Sequence, residues 1–335
     1  MKTINHNPEI LHEKLYKKTP RKLSYSPDVD FLGWRSEVKN KLTELLGMPP
    51  KPVKTPEVLS EARQEHETFT EIRFVFESEP DYFVPCHLLI PKNGQKPFPV
   101  VICLQGHNSG MHLSLDRMVY DGDEKYVGGV RMYGLQAIKE GYAALVMEQR
   151  GFGCCNATDK PDTNCHIMSM QAIMLGRTLM GERVHDVMRT IDVLSAFPEV
   201  DINRVGCMGN SGGGTTTYYA ACMDERIKIA MPSCSIGTFL SSIFTIYHCV
   251  CNFIPHILEW FEMSDLSVLI APRKLILVNG RGDEIFPIEG AKHCFSDIET
   301  IYKAAGCGDN CRLVIGEEGH RFYPVEGWPV FAQML

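Results

Sequence analysis

Five residues, Gly209-Asn210-Ser211-Gly212-Gly213, constrain this chain more than any other feature. They follow the short apolar run Arg204-Val205-Gly206-Cys207-Met208 and open a segment, 215–222, rich in Thr, Tyr and Ala. A strand that reverses into a helix within so few residues leaves no room for side chains beside the apex. Glycine accepts the required backbone angles without a Cβ clash. The apex residue is Ser211, whose hydroxyl is aimed away from the sheet, and the free N–H groups of the helix start lie behind it, where negative charge is favoured. The pattern reads as a nucleophile elbow, strand–Gly-x-Ser-x-Gly–helix.

A serine hydroxyl is a poor nucleophile at neutral pH and needs a histidine base, itself oriented by a carboxylate. Downstream, the run 273–280 reads as a buried parallel strand ending in Arg281-Gly282-Asp283-Glu284-Ile285-Phe286-Pro287. Asp283 therefore lies just past a strand's C-terminal end, where open α/β sheets place functional groups. A second strand, 311–315, ends in Gly316-Glu317-Glu318-Gly319-His320, which puts His320 in the same kind of position. Asp283 has a plainer alternative as N-cap of a helix starting near Pro287. Glu284 is the neighbouring candidate acid, one residue farther from the strand. His320 is set apart from the other eleven histidines by following a glycine after the last strand.

The oxyanion of an acyl-transfer intermediate needs two donors. One is expected from the backbone N–H of Gly212, directly after the nucleophile. The other is expected from the backbone N–H of His107, in the loop Gln105-Gly106-His107-Asn108-Ser109-Gly110 that follows the β-branched run 99–104. The His107 imidazole has two readings, a substrate contact or loop packing. Gln149, Arg150 and Trp260 are candidate substrate-binding residues. For Arg150, and for Glu148 close to the same face, an internal ion pair is the more common role of such residues.

Around these residues strands and helices alternate: 100–104, a helix near 131–140, 143–147, a helix near 183–196, then 205–208. That alternation predicts an α/β fold, a doubly wound, mostly parallel sheet with helices on both faces. Residues 71–76 and 82–90 read as an antiparallel pair at the sheet edge. Residues 1–65 read as an N-terminal helical extension, with 1–30 polar and proline-punctuated and one amphipathic helix at 31–46. Residues 66–335 form the catalytic domain. Two segments interrupt the alternation: a loop-rich insertion at 149–180, and an aromatic-rich one at 235–269 that is either a cap or helices packed on the sheet.

A net charge of −7, with no basic stripe, argues against nucleic acid as a partner. No run approaches the roughly 18–20 apolar residues of a membrane span, and the first residues lack a signal peptide's apolar run. The thirteen cysteines are odd in number and scattered through core elements, which favours reduced thiols and a cytoplasmic location. His248-Cys249-Val250-Cys251 carries ligand-type side chains, as does Cys307-Gly-Asp-Asn-Cys311, but together they make no matched zinc pair. The expectation is therefore buried thiols, no metal and no organic cofactor. The expected partner is a small-molecule ester, without nucleic acid or membrane; oligomeric state is left open, a homo-oligomer included.

The chain resembles the α/β-hydrolase superfamily, and within it the acetyl-xylan-esterase-like and dienelactone-hydrolase-like branch. The resemblance is carried by Gly176-Arg177-Thr178-Leu179-Met180-Gly181-Glu182-Arg183, by Asp186 to Asp192, and by Pro198 to Gly206 leading into the elbow. Ala271-Pro272-Arg273 and Gly282 to Pro287 extend it. It spans about residues 65–335 plus the Trp34 helix. It implies a serine carboxylesterase with Ser211, Asp283 and His320 in the triad positions, in the superfamily's order Ser, Asp, His. Gly212 stands where many carbohydrate acetylesterases of this type carry Gln, so the implied label is one of fold and mechanism, with a small or carbohydrate-linked ester as substrate class. A peptidase, thioesterase or lactonase would use the same triad, and a silent binding protein would need no intact triad at all. Dehalogenase chemistry is disfavoured by a serine rather than an aspartate at position 211.

Overall fold

Short β-branched and aliphatic runs separated by amphipathic helices dictate a layered structure, and the computed structural model, which describes residues 6–50, 54–156 and 165–334, is built that way. Helix α1 (Pro8–Lys18) is followed by α2 (Phe31–Leu46) and by three strands, β1 (Val58–Glu65), β2 (Phe69–Glu79) and β3 (Tyr82–Pro91). Then come β4 (Phe98–Leu104), α3 (Tyr133–Lys139), β5 (Ala143–Met147), α4 (Cys165–Met174), α5 (Leu179–Val193) and β6 (Val200–Asn210). The chain closes with α6 (Gly212–Met223), β7 (Ile227–Ser233), β8 (Lys274–Gly280), α7 (Ile288–Ala304), β9 (Cys311–Gly316) and α8 (Pro324–Met334).

Among the described residues nine strands form one sheet in the order β1-β2-β3-β5-β4-β6-β7-β8-β9. The first three strands and β5 pair antiparallel, and everything from β5 to β9 is parallel. Every residue of β5 is buried, as a strand covered on both faces requires. One face packs on α2, α5, α6 and α7 through Trp34, Val184, Tyr218 and Ile298. The other packs on α3 and α8 through Tyr133, Ala137, Trp328 and Phe331. This is the expected α/β-hydrolase architecture, with helices on both faces.

The N-terminal part differs from its sequence reading. It carries two helices, and its last segment, β1, pairs with β2 from Glu65↔Thr70 to Val58↔Phe76, so the sheet starts inside the expected extension. The outermost strand on this edge is therefore β1, whose side chains are mostly exposed and include Glu61, Arg63 and Glu65. Its alternation was invisible because neither face of an edge ribbon outside the helical layers is buried. Helix α1 was equally silent, having no buried residue; it is tied down by Tyr16, whose hydroxyl donates to Glu262 Oε2 at 2.8 Å.

Of the two insertions, 149–180 contains α4, while its residues 157–164 lie outside the described residues. The 235–269 segment contains no α-helix among the described residues, only short 3-10 turns. Its second half packs on the helical layer, where the Tyr218 hydroxyl donates to the Met263 carbonyl at 2.8 Å. Its first half brings His248, Cys249 and Cys251 toward the C-terminal edge of the sheet.

Candidate active site

The elbow forms as the glycines demand. Ser211 sits at φ 56°, ψ −123°, a strained conformation for a residue with a Cβ. A Cβ on Gly213 would lie 2.2 Å from the Leu104 carbonyl oxygen, and one on Gly209 would lie 2.5 Å from the Gly213 backbone. The turn is fixed from outside by the Ser211 N–H, which donates to the Ser233 carbonyl at 2.8 Å.

Asp283 and His320 meet across the ends of β8 and β9. His320 Nδ1 lies 2.9 Å from Asp283 Oδ2 and 3.1 Å from Oδ1. A carboxylate only accepts, so the ring proton is on Nδ1 and the neutral ring presents Nε2 as a bare acceptor. Asp283 Oδ1 also accepts the N–H groups of Ile285 at 2.8 Å and Phe286 at 3.0 Å. Burial pushes this carboxyl up, but His320 and the two N–H groups outweigh it and hold Asp283 below its ordinary value. Asp283 thus caps its own turn and not helix α7, whose first turn receives no side-chain cap. Glu284 is exposed. Cys234, beside Ser233 at the end of β7, lies with Asp283 and His320 in one cluster of polar atoms within 4.8 Å, so the ends of β6 to β9 assemble contiguously.

The loop after β4 presses on the elbow: a Cβ on Gly106 would be 2.8 Å from the Asn210 carbonyl oxygen and 3.1 Å from Ser211 Cβ. Among the described residues, the backbone N–H groups of His107 and Gly212 meet no acceptor. The His107 ring packs on Gly212 and edge-on to Phe152, at a centroid distance of 4.9 Å.

The three candidate substrate contacts have other employment. Gln149 is buried, and its Nε2 donates to the Gln105 carbonyl at 2.7 Å, propping the loop from behind. Arg150 is buried in an ion-pair cluster with Asp186 at 2.8 Å, Glu79 at 2.6 Å and Glu182 at 3.4 Å, and its guanidinium lies over the Tyr82 ring. Trp260 lies under Lys22 and Lys41, against the N-terminal segment and not at the elbow. Both 149 and 150 turn inward, where unpaired partners cost more than solvent contact: Gln149 is turned away from a substrate role, and Arg150 takes the internal ion pair that was its other reading.

Glu148, close to this face and read from the sequence as a substrate contact or an internal ion-pair partner, takes a different place. It is fully buried, accepts from Gln105 Nε2 and from the Met111 N–H at 3.1 Å, and is pushed up to about 8 by burial and nearby Cys154. In the unfolded chain the same group ionises near 4.5, so between pH 4.5 and about 8 the folded state holds the extra proton and stability falls as pH rises. At ~1.4 kcal/mol per pKa unit the loss has an upper limit of about 5 kcal/mol. We expect Glu148→Gln to gain stability relative to wild type between pH 5 and pH 9 in denaturant titrations. A constant difference between the two proteins across that range would refute the assignment.

A second cluster, His107, Cys165, Cys249 and Cys251, has its ligand atoms within 4.8 Å of one another. Cys307 and Cys311 take no part; Cys311 opens β9, at the opposite end of the sheet.

Comparison with known proteins places this geometry in context. YtaP of Bacillus subtilis, a candidate hydrolase, is 25% identical over 293 residues, covering 85% of this chain and 94% of its own. Among solved structures, a candidate acetyl xylan esterase from Bacteroides fragilis superposes with a TM-score of 0.77 at 16% identity, covering 93% of this chain and 83% of that one. A glucuronoyl esterase from Solibacter usitatus gives 0.66 at 16% identity, over 95% and 97%. Residues 7–176 match the model of the Abhydrolase family, a stretch that ends before Ser211 and so owes nothing to the elbow. With half its length matched and the sheet order of an α/β hydrolase, the chain belongs to the Abhydrolase family.

Proposed function

We propose that this protein is a serine carboxylic ester hydrolase acting through Ser211, His320 and Asp283, with short acyl esters, including carbohydrate-linked acetates, as substrates. The observation that carries the reading is the strained Ser211 at the end of β6 together with an Asp283–His320 pair past the ends of β8 and β9 of the same parallel sheet, its Nε2 free to take a proton. His320 Nε2 removes the hydroxyl proton as Ser211 Oγ attacks the ester carbonyl. The N–H groups of Gly212 and His107 hold the oxyanion, and the same imidazolium then protonates the departing alcohol. Water repeats the sequence on the acyl-enzyme, releasing the acid and restoring Ser211, while Asp283 stabilises each imidazolium.

The short-acyl preference rests on His107 and Phe152, which close the space beside Gly212: a Cβ there would meet them at 2.8 and 3.4 Å. The names of the similar structures, acetyl xylan and glucuronoyl esterases, agree with ester chemistry. Thirteen free cysteines support a reducing compartment, the cytoplasm. No helix among the described residues is long and apolar enough to cross a membrane.

A rate series on p-nitrophenyl acetate, butyrate and octanoate tests this. Turnover of acetate should exceed octanoate by about tenfold or more, since excluding even one or two methylenes is worth ~1–3 kcal/mol. Equal or faster octanoate turnover would remove the short-acyl assignment. Absence of Ser211-dependent turnover on all three would remove the esterase reading.

A further inference from the structure

Behind the oxyanion loop, three separate stretches of chain bring together four ligand-type side chains. They are His107, Cys165 at the start of α4, and the Cys249/Cys251 pair from the 235–269 segment. His107 Nε2 is 3.7 Å from Cys165 Sγ and 3.3 Å from Cys251 Sγ. Around a tetrahedral zinc with Zn–S of ~2.3 Å and Zn–N of ~2.0 Å, sulfur–nitrogen edges come to about 3.5 Å and sulfur–sulfur edges to about 3.8 Å. The observed spacings are those of a cluster that closes on an ion without rebuilding the backbone. The three cysteines of the cluster are free of disulfides.

A second observation concerns charge. Arg183 on α5 is fully buried, yet no carboxylate pairs with it among the described residues. It donates to the Arg150 carbonyl at 2.8 and 2.7 Å, lies over the Phe152 ring, and places Nη2 3.1 Å from Cys165 Sγ; among the described residues its Nη1 has no hydrogen-bond partner. A buried cation without a counter-charge is costly. Three thiolates, one neutral imidazole and a divalent cation carry a net charge of −1, which Arg183 neutralises.

We propose that His107, Cys165, Cys249 and Cys251 form a binding site for one zinc ion, with Arg183 as its counter-charge. Soft thiolates with one imidazole select zinc over magnesium or calcium. Four protein ligands leave no open position, so the ion is structural. Loading releases one proton from each thiol that is still protonated, and involves no redox change. Cys249 is half-buried and gives the ion its access route, whereas Cys165 and Cys251 are both 2% exposed. The ion would clamp the oxyanion loop to the 235–269 segment through the His107 ring. That consequence rests on the proposed function, but the site itself does not.

The experiment uses the full-length, tag-free chain purified under reducing conditions. Elemental analysis should find one zinc per chain. After chelation, titration with Co²⁺ should give the intense visible bands of a tetrahedral cobalt–thiolate centre, saturating at one equivalent. Cys165→Ser and Cys249→Ser, each checked for folding by circular dichroism, should lose the zinc and the spectrum. Wild-type protein that takes up neither ion while its thiols titrate as free would overturn the proposal. So would a disulfide within the cluster after reducing purification, or zinc retained at full stoichiometry in both variants. The cobalt titration of wild type decides the matter even if the variants do not fold. None of these readouts depends on ester hydrolysis, so failure of the site and failure of the esterase reading are separable.

Discussion

Ser211→Ala is expected to lower kcat/KM for p-nitrophenyl acetate by roughly 10⁵–10⁶-fold, the loss seen when a triad nucleophile is removed and only binding and oxyanion donors remain. The melting temperature should stay close to wild type. Alanine keeps the Cβ, so the strained φ of 56° is neither relieved nor worsened, and the turn is held by backbone contacts that the substitution leaves alone: Ser211 N–H to Ser233 and Thr215 N–H to the Ser211 carbonyl. A normal fold with near-zero hydrolysis is therefore the expected pair of results. Hydrolysis within tenfold of wild type would show that another nucleophile carries the reaction.

The second large effect is expected at Asp283. Asp283→Asn should lower kcat by about 10⁴-fold with little change in KM, because an amide can donate to His320 Nδ1 and so stabilise the wrong tautomer. Stability should change less than activity, since the asparagine oxygen can still accept the N–H groups of Ile285 and Phe286, now held at 2.8 and 3.0 Å. Glu284→Gln, on an exposed neighbour, should be near wild type. Rates reversed between the two variants would move the acid role to Glu284 and contradict the geometry at His320.

What was legible in the sequence follows burial and locality. Gly209 is dictated locally, by the approach of Gly213 four residues on, and so announces the turn; Gly213 is dictated by the Leu104 and Gln105 carbonyls after β4, and only the spacing of the motif marked it. The positions of Asp283 and His320, which pair in the structure, were readable because each follows a strand with an apolar run, 275–278 and 313–315, whose end is marked by glycine. Helix α2 was readable because Trp34, Val38, Leu42 and Leu46 bury one stripe. By contrast α1 and β1 bury almost nothing and leave no periodic signal. Gln149 and Arg150 could not be decided from the sequence because position fixes where a backbone lies, while the carboxylates of Glu79, Glu182 and Asp186 decide which way a guanidinium turns and so select, for Arg150, the internal ion pair. The cysteine cluster was illegible for a related reason. Cys249 and Cys251 advertise themselves, but their partners His107 and Cys165 arrive from distant segments, and the nearer-looking Cys307 and Cys311 end up elsewhere.

The strand order also governs how the molecule can be made. Strand β4 is flanked by β5 and β6, and its register with β6 runs from Phe98↔Val200 to Leu104↔Gly209. That pairing closes a loop of about 100 residues, a high-contact-order step whose entropy is met before any contact repays it. During synthesis, the apolar edge of β4 stays bare until β6 has left the ribosome, and β6 gains its outer neighbour only with β7. The parallel sheet is therefore completed only late in synthesis, and until then the emerging chain presents an open strand edge of the kind that chaperones cover.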